Sequence, residues 1–282
     1  MVYRLVTLAL CAALLCGGPP PAGAALVPPL SETEKQAFGE NYLLPSPAEV
    51  FLALEKAGPV DWTAMASFNP RYDYADNAQR ALNLGIRAAD GFLAIQARDH
   101  DKLGKMISAI MTLAEELLVA ETILNKGKAF EDLARNGQWE ELHGQLDALR
   151  DDVLHEMERM GDKDIALLVS TGGWLEGLRA TAKTLQEHYS ERASTLLYQP
   201  KLLQYFRTRL NALPQQTRTT PAVASILAQL DAIEACLNVG YRTPIPQENI
   251  RRLAAISEML ISGIEGGMSD NGASGSVGGG GS

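Results

Sequence analysis

The chain has 282 residues, 46% of them hydrophobic, and 25 Lys+Arg against 34 Asp+Glu give a formal net charge of −9. An acidic surface repels phosphate backbones and anionic lipid faces, so nucleic acid is excluded as an expected partner. Three cysteines cannot staple a chain of this length, and its stability must come from a hydrophobic core.

Arg4 is followed by an apolar run from Leu5 to Cys16, then by Gly17 to Pro21 and Ala22-Gly23-Ala24. A basic start, a short apolar stretch and a small-x-small site read as a secretory signal peptide cut after Ala24. The run is shorter than the roughly 20 apolar residues that span a bilayer, so no stable membrane insertion is expected. Cys11 follows Leu10 and Cys16 follows Leu15, and neither has the small residue that precedes a lipid-modified cysteine. The expected mature chain starts at Ala25 and keeps 24 basic against 34 acidic side chains, with Cys236 as its single thiol. Residues 25–45 read as a lead segment, 46–266 as one all-helical domain, and 267–282 as a disordered Gly/Ser-rich tail. The expected compartment is the periplasm or the exterior.

No apolar/polar alternation long enough for a confident strand is present, and three–four spacing recurs throughout. The expected architecture is all-α, a bundle of about nine to ten helices. Ser31 with Glu34, and Ser46-Pro47-Ala48-Glu49, are capping boxes. The second opens a helix to about Ala57, stopped by Gly58-Pro59; a connector from Asp61 to Pro70 carries Trp62 and Phe68. Long helices follow, from about Asp76 to Arg98 and from about Asp101 to Leu124, the latter with Leu103, Met106, Ile107, Ile110, Leu113, Ala114, Leu117 and Leu118 on one stripe. A short helix over 128–135 precedes the break at Gly137. The next carries Trp139, Leu142, Leu146, Leu149, Val153, Met157 and Met160 and ends at Gly161. Another runs from about Asp164 to His188 and beyond, with Pro200 interrupting it or starting a new helix that Pro214 ends. Thr220-Pro221 caps a helix to Gly240, and Pro246 begins the last, which fades at Gly266-Gly267. Residues 82–94 echo residues 168–180 at an offset of 86, Asp90-Gly91 falling on Glu176-Gly177. Two helical-hairpin repeats and chance similarity both account for that echo.

Glu140-x-x-His143, Asp152-x-x-His155 and His188-x-x-Glu191 have the spacing of carboxylate–histidine metal pairs. The first two lie on one helix rather than on facing helices, and the third is in a polar segment, so all three read as solvated charge. Cys236 lies beside the stripe Ile226, Leu230, Ile233 and Leu237 and reads as a core-edge hydrophobe. No phosphate loop, nucleophile elbow or Cys-x-x-Cys occurs, so the expectation is a non-enzyme without cofactor, metal ligand set or catalytic residue. Glu176 stands out as the only ionisable residue from Ile165 to Leu178. A helix apolar on most sides is buried, and a buried carboxylate needs a partner or a raised pKa. Arg179 three residues on is its plain partner, as Arg87 is for Asp90. The other reading has Asp90 and Glu176 lining one pocket and gripping a cation or polar ligand. Gly172, Gly173 and Gly177 let a backbone or a ligand approach.

Three stretches occur together: Asn41-Tyr-Leu-Leu-Pro-Ser-Pro-Ala-Glu-Val50, Ala81-Leu-Asn-Leu-Gly-Ile86 with Ala88-Ala-Asp90, and Gly172-Gly-Trp-Leu-Glu-Gly-Leu178. In order and spacing, roughly over residues 40–265, the chain resembles an uncharacterised family of exported, all-helical bacterial envelope proteins. The resemblance makes Tyr42, Pro45, Pro47, Glu49, Asn83, Gly85, Asp90, Gly173, Trp174 and Glu176 signature positions and implies fold and compartment, with no chemistry attached. Several members look like lipoproteins, which this chain does not, and Arg87 stands where an uncharged, often aromatic residue is expected. The ligand-binding candidates are therefore Asp90, Glu176, Trp174, Asn83, Arg87 and Arg179. Two functions remain: an exported non-catalytic protein that binds an envelope protein or a small ligand, and a metal- or cation-binding bundle built on Asp90 and Glu176. An exposed apolar groove favours the first, and inward carboxylates at metal-ligating spacing favour the second.

Overall fold

The computed structural model describes residues 50–51, 53–55, 59–66, 69, 71–118, 127–241 and 243–266. The expected signal peptide, the capping boxes at Ser31 and Ser46 and the Gly/Ser-rich tail lie outside these residues. Within them the fold is all-α, with eleven α-helices and no strand. No helix among them is long and apolar enough to cross a membrane.

Local signals account for most helix ends. α1 is a single turn, Trp62–Met65, started by the Asp61 side chain, which accepts from the Ala64 amide. α2 spans Asn77–Gln96, and Asp76 caps it by accepting from the Gln79 amide. Arg98, at φ 52°, turns the chain, and Asp99 caps α3, His100–Glu116, through the Lys102 amide. α3 is shorter than the expected helix to Leu124. It stops at Leu117, and Leu118 takes φ 60° and points to solvent instead of extending the buried stripe. α4 is Gly127–Arg135 and α5 is Trp139–Met160. Gly161 at φ 90° ends α5, and the Asp162 amide reaches back to the Met157 carbonyl, the reversal a left-handed glycine permits. α6 is Lys163–Glu187 and does not run past His188. Ser190 starts a separate turn, α7, Glu191–Ser194, followed by a 3-10 turn at Thr195–Leu197. Pro200 opens α8, Pro200–Asn211; a turn, α9, is Gln215–Arg218; Pro221 opens α10, Pro221–Leu237; and α11 is Gln247–Gly266.

α6 is the central helix. It packs on α2 along one side and on α11 along another, while α2 also holds α3 and α10 holds α11. Two glycines set how closely α2 and α6 approach. A methyl group on Gly85 would overlap the Val169 carbonyl, and one on Gly172 would overlap the Leu82 carbonyl. Hydrogen at these two positions brings the backbones together and places the echoed segments 82–94 and 168–180 against each other. The echo does not extend to matching hairpins: α2 turns directly into the long α3, whereas α6 leads into single turns.

Candidate functional site

Five of the six candidate residues form one buried polar network. Asn83, Arg87 and Asp90 project from α2, and Glu176 and Arg179 from α6; each is at most 5% exposed. Arg87 Nη1 donates to Asp90 Oδ2 at 3.1 Å, one helical turn away. Arg179 grips both oxygens of Glu176, through Nε at 2.8 Å and through Nη2. α11 supplies the residues that local sequence reasoning missed. Glu265 accepts from Arg87 Nη1 at 2.5 Å, and Glu258 stands 3.5 Å from Arg179 Nη1. Asn83 Nδ2 donates to the carbonyls of Gln79 and Ile264, and Gln79 Nε2 donates to the same Ile264 carbonyl. These bonds tie the last turn of α11 to the first half of α2. Tyr74, 1% exposed, completes the shell next to Arg87.

Asp90 and Glu176 face each other across the α2–α6 interface, close enough for the charge of Glu176 to raise the Asp90 pKa. Two guanidinium groups, Arg87 and Arg179, face four carboxyl groups, Asp90, Glu176, Glu265 and the exposed Glu258, so carboxyls outnumber cations in the network. Burial first, and then the negative charge of Glu176, push the Asp90 carboxyl well above the ordinary carboxylate range, against the opposing pull of Arg87 and Arg179. Burial raises Glu176 too, but the charge and hydrogen bonds of Arg179 oppose that rise. Asp90 Oδ2 is taken by Arg87, while Oδ1 receives no donor from the described residues. The acids therefore do converge, yet the positions next to them are filled by arginines. Among the described residues no group of three or more His, Cys, Asp or Glu side chains stands at metal-ligating spacing.

Trp174 belongs elsewhere. Two residues before Glu176 on a helix, it faces roughly the opposite way. Its half-buried ring stacks on Phe206 of α8, centroids 4.8 Å apart and planes at 26°. The pair lines a groove of about 110 Å³ between α6, α8 and the 3-10 turn, walled by Leu154, Val169, Leu196, Leu197, Leu202, Leu203 and Leu237. Gly85, Gly173 and Gly177 shape its floor, and a methyl group on Gly177 would meet nothing within 4 Å. Gly177 is thus the one of the three flagged α6 glycines that opens space for something other than backbone. Arg150 is the only charged residue among the described residues lining the groove. A larger cleft, about 580 Å³, lies at the ends of α2 and α11. Its polar walls include Arg71 with Asp73 and Arg80 with Glu116, ion pairs open to solvent.

The remaining candidates take structural places. The His143 ring meets Phe92 edge-on at 5.4 Å, so it is packed on the core where the sequence pointed it mostly to solvent. His155 and His188 are exposed. Cys236 is 0% exposed, inside the core and not at its edge, because α11 covers the side of α10 that would otherwise face water. Burial pushes its thiol pKa up, the reverse of what a nucleophile requires. Comparison with known proteins brings no family model, no curated protein and no solved structure that matches the chain.

Proposed function

We propose that this is an exported, non-catalytic binding protein of the cell envelope, and that the groove beside Trp174 receives an apolar group of its ligand. The groove carries this reading. It combines an apolar wall, the half-buried Trp174 ring backed by the buried Phe206, and a floor kept open by Gly177. Binding pockets are concave and largely apolar, with few polar groups. An apolar cavity of roughly 150 Å³ takes benzene, so a group of about that size or slightly smaller is the match. The Asp90–Glu176 network is better suited to holding the bundle together than to gripping a cation, because Arg87 and Arg179 already occupy both acids.

Gly177→Leu tests the reading without disturbing the core. The new side chain enters open space and fills the groove. The parent, beginning at Ala25, should bind the neutral probe hexan-1-ol saturably, with a change in Trp174 fluorescence. Gly177→Leu should keep its helical content and lose that response. Equal binding by parent and variant would reject the groove as the site. Export is tested separately: N-terminal sequencing of the protein from the cell envelope should begin at Ala25, and an intact Met1 would contradict the signal peptide.

A further inference from the structure

The charge at the groove says what the apolar group is attached to. Of the described residues lining it, Arg150 alone is charged, in a chain whose net charge is −9. Its side chain is only 17% exposed, and its ion partner, Asp151 at 3.1 Å, is the adjacent residue and is itself 62% exposed. That neighbour occupies one nitrogen, Nη1, of a fork that offers five N–H donors. Two other polar side chains on the wall contrast with it. Thr181 Oγ1 donates to the Gly177 carbonyl at 2.8 Å, and Gln199 Nε2 donates to the Leu196 carbonyl at 3.0 Å. Donors remain at the groove, and no carboxylate among the described residues lines it. A cationic or purely apolar ligand would leave Arg150 half-sealed with no new partner, a desolvation cost with nothing to offset it.

We propose that the groove binds small carboxylates carrying a short apolar group, the apolar part resting on Trp174 and Phe206 and the carboxylate taken by Arg150. A guanidinium fork matches a planar carboxylate, and a charge-assisted bond in a partly desolvated site is stronger than one in water. The proposal rests on the groove being a binding site.

Three probes of one length separate the two ideas: hexanoate, hexan-1-ol and hexylammonium, titrated by calorimetry or Trp174 fluorescence into the chain beginning at Ala25. Hexanoate should bind about tenfold more tightly than hexan-1-ol, the factor expected of one charge-assisted bond, and hexylammonium most weakly. Arg150→Gln should bring hexanoate down to the affinity of hexan-1-ol and leave hexan-1-ol unchanged. Asp151→Ala, which frees the guanidinium, should tighten hexanoate. Equal binding of hexanoate and hexan-1-ol by the parent would overturn the carboxylate assignment and leave the groove standing. Tightest binding of hexylammonium would give the charge the wrong sign. Binding of none of the three would remove both. The parent titrations decide the matter even if Arg150→Gln fails to fold.

Discussion

Asp90 and Glu176 each sit three residues from an arginine and are both buried, yet they are not equivalent. Glu176 is held at both oxygens by Arg179, whereas Asp90 is held at one by Arg87, and its raised pKa predicts that it carries a proton in the folded state. Asparagine reproduces a protonated aspartic acid, with an oxygen for Arg87 and an N–H for Glu176. Asp90→Asn should therefore match parental stability below the unfolded carboxyl value of about 3.9 and exceed it at neutral pH, where folding the parent requires Asp90 to take up a proton. Glu176→Gln leaves Arg179 with only part of its compensation and should cost about 3 kcal/mol, the range for breaking one side of a buried pair. Chemical denaturation of the two variants checks this, and equal losses would mean that the proton is shared differently. The sign of the pH dependence follows. The folded-state pKa of Asp90 is raised, so its contribution is complete below the unfolded value of about 3.9 and is lost as pH rises through the folded value. The parent should lose stability toward alkaline pH with a steeper slope than Asp90→Asn. Infrared spectra at neutral pH should show a protonated-carboxyl C=O band that Asp90→Asn removes. A parent without that band would refute the assignment.

Between helices, the glycines divide by what they face. Gly85 and Gly172 allow backbone to meet backbone, so Gly85→Ala or Gly172→Ala forces α2 and α6 apart and should cost about 3 kcal/mol, the upper range for overpacking. Gly177→Ala enters open space and removes a flexible residue from a helix interior, so it should stabilise by about 0.5–1 kcal/mol. Thermal melts should move in opposite directions, and a neutral Gly85→Ala would show that the α2–α6 contact is looser than described. Cys236 extends the same logic to α10. It is sealed under α11, so Cys236→Ala should cost on the order of 1 kcal/mol. A thiol reagent should modify it only after unfolding, and fast labelling of the native protein would show α11 standing off α10. Helix ends were legible at several local devices, the aspartate at Asp76, the glycine at Gly161 and the prolines at Pro200 and Pro221, but not at the Ser190 cap. The end of α3 was not legible either. The Leu117–Leu118 stripe continues the helical period, but Leu118 turns left-handed and outward, which periodicity does not encode.

For the whole molecule, α6 lies between α2 and α11, and the network spans all three. Loss of α11 would uncover Arg87, Asp90, Glu176 and Arg179 together. Unfolding should therefore be one transition, with far-ultraviolet helical signal and near-ultraviolet tryptophan signal lost at the same denaturant concentration. Separate transitions would show that α2 and α6 hold without α11. Sequence by itself determined the all-helical class, most helix boundaries, and the pairing of each buried acid with the arginine one turn away. These are properties of neighbours within about four residues, where chain geometry leaves little choice. Only the tertiary structure decided that Asp90 meets Glu176 across two glycine contacts, that Glu265 reaches Arg87 over 178 residues, and that Trp174 turns away from both acids toward Phe206 and a groove edged by Arg150. Such meetings depend on which helix faces find one another, and apolar stripes of similar spacing are interchangeable partners until packing selects among them.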